Sequence, residues 1–146
     1  MRSILAAEIL RGMSWRNVQL ARRCFARFAA GDLDGFLELM DSDVEWVPAI
    51  EVMAPDELIF GTYRGHDGIR QWFADVQRFN DYRVESDTFR GTDDYAYVTG
   101  KVFIEDDGQT FLRDVYFVFT IRAGKVAAAH TYLDEAEALE AAGLSG

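Results

Sequence analysis

The chain has 146 residues, 49% of them hydrophobic and 14% aromatic, which is the length and apolar content of one globular domain. Its formal net charge of −10 argues against a nucleic-acid or anionic-membrane partner, because both attract a basic protein face. One cysteine, Cys24, excludes an intramolecular disulfide. This cysteine usage predicts a reducing, cytoplasmic compartment. No apolar run reaches the roughly 18–20 residues of a membrane span.

The first half of the sequence predicts three helices. Apolar residues recur on one helical face from Ser14, a residue type that caps helices, to about Ala30. Gly31 follows, where a helix C-terminus favours glycine. Asp32 and Asp67 are placed to cap a shorter second helix and a third helix.

A strand and an irregular segment separate the second and third helices. Residues 43–47 predict the strand, which stops at Pro48. Residues 49–63 have no clear period but contain several large apolar side chains. We expect this segment to form a loop or lid with a hydrophobic inner side.

The second half predicts an antiparallel meander followed by a short helix. Strands are predicted at residues 82–89, 95–104, 111–121 and 126–133, with Gly-containing turns after the second and third of them. Asp134 is placed to cap the C-terminal helix. This order of elements predicts a single α+β domain in which helices pack on one face of a curved antiparallel sheet.

The strand at residues 111–121 carries one unexpected charge. Alternate side chains of a strand point to opposite faces, and the odd-numbered set is apolar except for Arg113. If this inner face is buried, the guanidinium needs an internal carboxylate or an anionic ligand. Alternatively, Arg113 lies close enough to the strand start to reach solvent or a local acidic side chain.

Five segments of the sequence carry recognisable motifs, at residues 17–34, 43–46, 63–70, 122–126 and 132–144. In their order and spacing, over about residues 14–144, these motifs resemble SnoaL-like proteins of the nuclear transport factor 2-like superfamily. The resemblance implies a cone of helices against a strongly curved sheet, forming a domain at residues 13–146 with residues 1–12 as an N-terminal extension. It also implies an apolar pocket in a fold that serves isomerases, cyclases, dehydratases and non-enzymes.

The positions that carry catalysis in the resembling enzymes hold other residues here. The general-base aspartate of ketosteroid isomerase-like enzymes corresponds to Trp46, and their protonated aspartate falls near Phe117. Their first-helix tyrosine falls near Cys24, and the last-strand aspartate of polyketide cyclases aligns with Thr131. The resemblance therefore implies a pocket without the usual catalytic groups, and an uncharged threonine is no base near neutral pH.

The last strand leaves His130 with two possible roles. If Thr131 faces the pocket, as the resemblance implies, His130 and Tyr132 lie on the outer face of the sheet. The opposite parity makes His130 a candidate acid or base, because an imidazole titrates near neutral pH.

The candidate site combines residues with acid, base or charge-stabilising chemistry and residues that would line a pocket. The candidate catalytic residues are Arg113, His130, Tyr63 and Asp114, with Glu51, Asp56 and Glu57 as further candidate bases. The candidate ligand-binding residues are Trp46, Val102, Val115, Phe117 and Thr131, and Trp72 is expected in the pocket wall or in the core beneath it. No cofactor is predicted. No metal is predicted either, since the two histidines share no ligand-like spacing.

Three function classes follow from these features. The first is an isomerase, cyclase or dehydratase that acts on a small hydrophobic or aromatic compound, and the second is non-catalytic binding of such a ligand. The third is a dimeric interaction domain. A homodimer is predicted through the outer sheet face, whose apolar content is too high to stay bare. That face is expected to contain Tyr97, Thr99, Lys101, Phe103, Asp114, Tyr116 and Val118.

Overall fold

The computed structural model describes residues 4–48 and 61–144, with side chains from residue 14 onward. The helices in this part of the chain are α1 (Ile4–Ala29), α2 (Leu33–Glu38), α3 (Gly65–Val76) and α4 (Glu135–Ala141). The strands are β1 (Met40–Val47), β2 (Tyr63–Arg64), β3 (Asp81–Gly91), β4 (Tyr95–Asp106), β5 (Gln109–Arg122) and β6 (Lys125–Tyr132). None of the described helices is long and apolar enough to cross a membrane.

The strands form one sheet in the order β2-β1-β6-β5-β4-β3. Strands β3 to β6 are the predicted antiparallel meander, and β1 joins it through a parallel pairing with β6. Two-residue turns connect β4 to β5 and β5 to β6. Both central residues of each turn have positive φ, with values of 48° and 80° at Asp107 and Gly108 and of 53° and 76° at Ala123 and Gly124. Such turns match the right-handed twist of the strands that they join.

One face of the curved sheet is buried beneath three helices. Helix α1 packs on β3 and β4, and α3 packs on β1. The odd-numbered side chains of β5 face this core, with Val115 fully buried and Phe119 2% exposed. The predicted α+β cone and the predicted inner face of β5 are therefore confirmed.

The helix caps match the sequence prediction at two of four positions. The carboxylate of Asp32 accepts a hydrogen bond from the Gly35 amide at 2.9 Å, and Asp134 caps α4 by accepting from the Ala136 amide at 2.8 Å. The prediction for Asp67 is wrong, because α3 begins at Gly65 and the Asp67 carboxylate pairs instead with Arg70 at 2.6 Å.

The other cap prediction concerns the start of the first helix. Helix α1 extends back to Ile4, so Ser14 lies inside it and is not its N-cap. The domain boundary after residue 12 stays a prediction. The predicted lid at residues 49–63 lies mostly outside the described residues.

Part of the outer face of the sheet is covered within the chain itself. The homodimer prediction assumed that this apolar face is exposed, and that assumption is wrong for the covered part. Helix α4 packs against β5 and β6 on this side. Tyr97 and Val118 are each only 4% exposed, in a cluster that includes Ala138 and Ala142. The Tyr97 hydroxyl also donates to Glu135 at 3.3 Å, so the C-terminal helix already buries the most apolar part of this face.

We expect Gly100→Ala to destabilise the fold, because a Cβ at this position would overlap the carbonyl oxygen of Glu85 in the neighbouring strand. The obstacle is backbone and cannot rotate away, so a loss of about 1–3 kcal/mol in unfolding free energy is expected from denaturant titration. Ser86→Ala is the control, since Ser86 pairs with Gly100 and already carries a Cβ. A stability of Gly100→Ala equal to that of the control would contradict this packing.

Candidate functional site

A small cavity lies between the sheet and the helices that cover it. Its volume is about 30 Å³. The lining comes from α1, α2, α3 and four strands, and it is predominantly apolar and aromatic. The lining residues are Cys24, Phe25, Phe28, Phe36, Trp46, Pro48, Trp72, Tyr82, Val84, Phe117, Phe119 and Thr131.

Aromatic rings build most of the cavity wall. Phe28 of α1 stacks on Trp72 of α3 with ring centroids 4.7 Å apart and planes 16° apart. Trp72 lies 4.8 Å from Trp46 of β1, again between ring centroids. On the opposite wall, Phe25 meets Phe117 edge to face at 5.2 Å. The walls therefore consist of large rings that pack against one another, and little free volume remains between the walls.

Two indole nitrogens make this wall chemically distinctive. Trp46 is 8% exposed and Trp72 is 4% exposed, and the Nε1 atom of each is buried without a hydrogen-bond partner among the described residues. A buried donor without a partner costs about 1–3 kcal/mol. Two such donors beside one cavity therefore favour an acceptor from outside the described chain.

The remaining polar groups of the lining are uncharged at neutral pH. Burial raises the pKa of the Cys24 thiol to about 12, and burial likewise raises the pKa of the Tyr82 hydroxyl above its ordinary value. Thr131 adds a neutral hydroxyl. The described lining contains no carboxylate, imidazole, ammonium or guanidinium group. It therefore offers hydrogen bonds but no strong acid or base.

The structure places Arg113 and Asp114 away from this cavity. Arg113 follows the inner-face alternation, but it lies at the exposed end of β5 and donates to the Leu112 carbonyl at 3.0 Å. Asp114 is exposed on the outer face, where it pairs with Lys101 at 2.9 Å. Of the two alternatives for Arg113, the structure supports the one in which the side chain near the strand start reaches solvent, and a catalytic role for Arg113 in this cavity is not supported.

Tyr63 is buried, but its hydroxyl forms a hydrogen bond with a residue that does not line the cavity. The hydroxyl donates to the Asp75 carboxylate of α3 at 2.8 Å. Burial, followed by the hydrogen bond to Asp75, raises the pKa of Tyr63 above its ordinary value. This side chain joins β2 to α3, and it does not line the cavity in the structure.

His130 lies on the outer face of the sheet, as expected if Thr131 faces inward. Its Nε2 atom is 3.7 Å from the Glu45 carboxylate, and its ring is offset from that of Tyr132 with centroids 6.5 Å apart. Thr131 is 7% exposed and lines the cavity. His130 and Thr131, which are consecutive in β6, therefore lie on opposite faces of the sheet. The sheet separates the imidazole from the cavity.

The candidate ligand-binding residues divide into two groups. Trp46, Phe117 and Thr131 line the cavity. Val102 and Val115 are fully buried in the core, but they are not part of the lining. Tyr82 also lines the cavity, although it is not among the residues that the sequence predicts for the site. Its position at the start of a strand gives no local signal, and only the packing of α1 on β3 brings it to the cavity.

A surface groove adjoins the cavity between α1, α3 and β3. Its volume is about 410 Å³. Phe28, Tyr82 and Val84 line both the groove and the cavity, so these three side chains form the partition between them. All three are only partly buried. The cavity and the groove therefore share a wall of partly exposed side chains.

Comparison with known proteins identifies the family. The model of the SnoaL-like domain matches residues 21–129. The search of curated protein sequences finds no match.

Solved structures agree with this match. TerC, co-crystallised with polyporic acid, is 27% identical with a TM-score of 0.68, and the match covers 86% of this chain and 96% of TerC. An NTF2-like protein of unknown function from Burkholderia pseudomallei K96243 is 24% identical with a TM-score of 0.69, over 86% of this chain and 95% of that protein.

A putative polyketide cyclase from Pseudomonas putida KT2440 is also similar, at 20% identity and a TM-score of 0.62, over 82% of this chain and 92% of that protein. At this identity the likeness concerns the fold alone. The family model spans more than half of the sequence, and the solved structures share the arrangement of helices on a curved sheet. The chain therefore belongs to the family of SnoaL-like domains, within the nuclear transport factor 2-like fold.

Proposed function

We propose that the protein binds a small hydrophobic or aromatic molecule in the cavity beside Trp46 and Trp72. The observation that carries this proposal is the pair of buried indole donors, without a described partner, in an otherwise apolar aromatic wall. Apolar walls with a few polar groups are typical of small-molecule sites. The similarity to TerC, which was co-crystallised with polyporic acid, supports a ligand of this kind.

Binding of an aromatic ring requires the cavity to widen. A cavity of about 30 Å³ is smaller than a benzene ring, whereas the adjoining groove has about 410 Å³. Displacement of Phe28, Tyr82 and Val84 toward the groove would provide both the entrance and the additional volume. The energetic cost of that displacement lowers the affinity, so weak binding of small probes is expected.

Non-catalytic binding has more support from the described residues than a reaction does. An isomerase, cyclase or dehydratase needs a group that accepts a proton, and the described lining supplies no carboxylate or imidazole. The candidate bases Glu51, Asp56 and Glu57 lie outside the described residues. A reaction in this pocket, like a cytoplasmic location, stays a prediction.

Filling the cavity is expected to abolish binding of toluene, a neutral probe of one ring. In Thr131→Leu, the larger side chain occupies space beside Phe117, and we expect at least a tenfold loss of toluene affinity by isothermal titration calorimetry. Thr120→Leu is the matched control, because Thr120 lies on the outer face of β5. Its affinity should stay within twofold of the parent protein. Absence of toluene binding to the parent protein, or an equal loss in both variants, would contradict the proposal.

Cys24 is expected to react slowly with iodoacetamide, because the thiolate is the reactive form. A pKa raised from 9.0 to about 12 lowers the thiolate fraction at pH 8 roughly a thousandfold. Mass spectrometry should therefore show alkylation of native protein slower by at least that factor than alkylation of protein unfolded in guanidinium chloride. The native rate should rise about tenfold per pH unit between pH 8 and 11. Native alkylation as fast as that of the unfolded chain would show that the thiol is not buried.

The homodimer stays a prediction, now restricted to the part of the outer face that α4 leaves uncovered. Leu112 is 56% exposed there and pairs with Phe103 of β4. Sedimentation equilibrium at micromolar concentration is expected to give twice the chain mass of 16.6 kDa. Leu112→Glu should halve that mass, whereas Leu133→Glu, at a leucine 44% exposed just after β6, should not. A wild-type particle of one chain would rule out the dimer.

A further inference from the structure

The hydrogen-bonding groups of the cavity restrict what kind of ligand it can satisfy. An indole N–H donates and cannot accept. The Nε1 atoms of Trp46 and Trp72 both belong to cavity-lining rings, both are buried, and neither has a partner among the described residues. The ring centroids are 4.8 Å apart, so the two indoles are direct neighbours in the wall. A purely hydrocarbon ligand would leave both donors without a partner.

The absence of formal charge in the described lining restricts the ligand further. An anion that enters such a cavity loses its hydration, and a cation in the wall would be needed to offset that loss. Arg113, the basic residue that the sequence placed on this face, lies in solvent at the end of β5. Cys24 and Tyr82 stay protonated at neutral pH, so they add no charge of either sign. The described wall therefore discriminates against a carboxylate.

On the basis of the proposed function, we propose that the ligand is a neutral, planar aromatic compound whose carbonyl oxygen accepts hydrogen bonds from the indole N–H groups of Trp46 and Trp72. The flat ring would lie among the aromatic side chains, where Phe28 and Trp72 already stack. This assigns the two tryptophans the role of orienting the ligand by its oxygen. It also gives the pocket a preference for neutral carbonyl compounds over aromatic acids.

Three probes of nearly identical shape separate the contributions. Acetophenone carries the carbonyl, α-methylstyrene replaces its oxygen by a CH₂ group, and benzoate carries a negative charge. Each is titrated into uniformly ¹⁵N-labelled protein, and the three indole N–H signals are followed by heteronuclear NMR, with assignments from single Trp→Phe variants. Trp15 is the internal control, because it is 62% exposed on α1. The difference between acetophenone and α-methylstyrene removes the ring-current effect that both probes share.

We expect acetophenone to bind about five- to tenfold more tightly than α-methylstyrene, the range that one or two hydrogen bonds provide. Benzoate should bind at least tenfold more weakly than acetophenone. The indole proton signals of Trp46 and Trp72 should move downfield with acetophenone and not with α-methylstyrene, while the signal of Trp15 stays in place. Trp46→Phe and Trp72→Phe should each reduce the preference for acetophenone over α-methylstyrene, in proteins whose folding is checked by circular dichroism.

The unfavourable outcomes distinguish this inference from the proposed function. If none of the probes shifts the signals of Trp46 and Trp72, the cavity does not bind small aromatic compounds, and the proposed function fails together with this inference. If acetophenone and α-methylstyrene bind equally, aromatic binding holds but the role of the carbonyl oxygen is overturned. If benzoate binds best, the preference for a neutral ligand is overturned.

Discussion

Four aromatic side chains, one each from α1, α2, α3 and β1, meet above the inner face of the sheet. Phe28 stacks on Trp72, and Phe36 contacts Trp46 edge to face at 5.4 Å between ring centroids. Trp72 and Trp46 join the two pairs. A curved sheet leaves a concave surface that smaller side chains would not fill, and large rings fill it with few atoms of polar character. The position of every helix on this face depends on that contact.

The same rings supply both the stability of the core and the candidate site. Because each ring packs against two or more others, the cavity that remains is small, and a ligand can enlarge it only by moving side chains that also stabilise the fold. Phe28 of this set is partly exposed, and together with Tyr82 it lines both the cavity and the surface groove. The fold is therefore expected to bind ligands at the expense of some packing energy, in contrast to a preformed open cleft.

Among the described residues, the charged side chains lie away from the lining of the cavity. Acidic and basic side chains lie on the outer face, in the hairpin between β4 and β5, and on the exposed sides of the helices. Lys101 with Asp114, and His130 near Glu45, are pairs of this kind. On the inner face, the polar groups of the described lining residues are all neutral. Burial of an isolated charge would be costly in this cavity, and nothing in its described wall would offset that cost.

The sequence by itself determined the features that depend on residues close together in the chain, namely the core face of a strand, the helix caps and the turns. The alternation along β5 assigned Val115 and Phe119 to the core, the aspartates before α2 and α4 predicted their caps, and glycine marked the turns of the meander. The family resemblance predicted the whole fold, and it placed Trp46, Phe117 and Thr131 at pocket positions. The core face, the caps and the turns follow from backbone geometry or from a pattern within one element, whereas the whole fold and the pocket residues follow from the family resemblance.

Only the tertiary structure shows which side chains are exposed, which are covered by another element, and which distant residues come into contact. The sequence left two alternatives for Arg113, and the structure shows that this side chain at the end of β5 reaches water. Helix α4 covers Tyr97 and Val118, which no local pattern indicates, because the direction of a C-terminal helix is set by the sheet it returns to. The pairing of Trp46 with Trp72 and the entry of Tyr82 into the wall join residues 26 or more positions apart. Contacts of that range follow from the packing of whole elements, and no periodicity in the sequence encodes them.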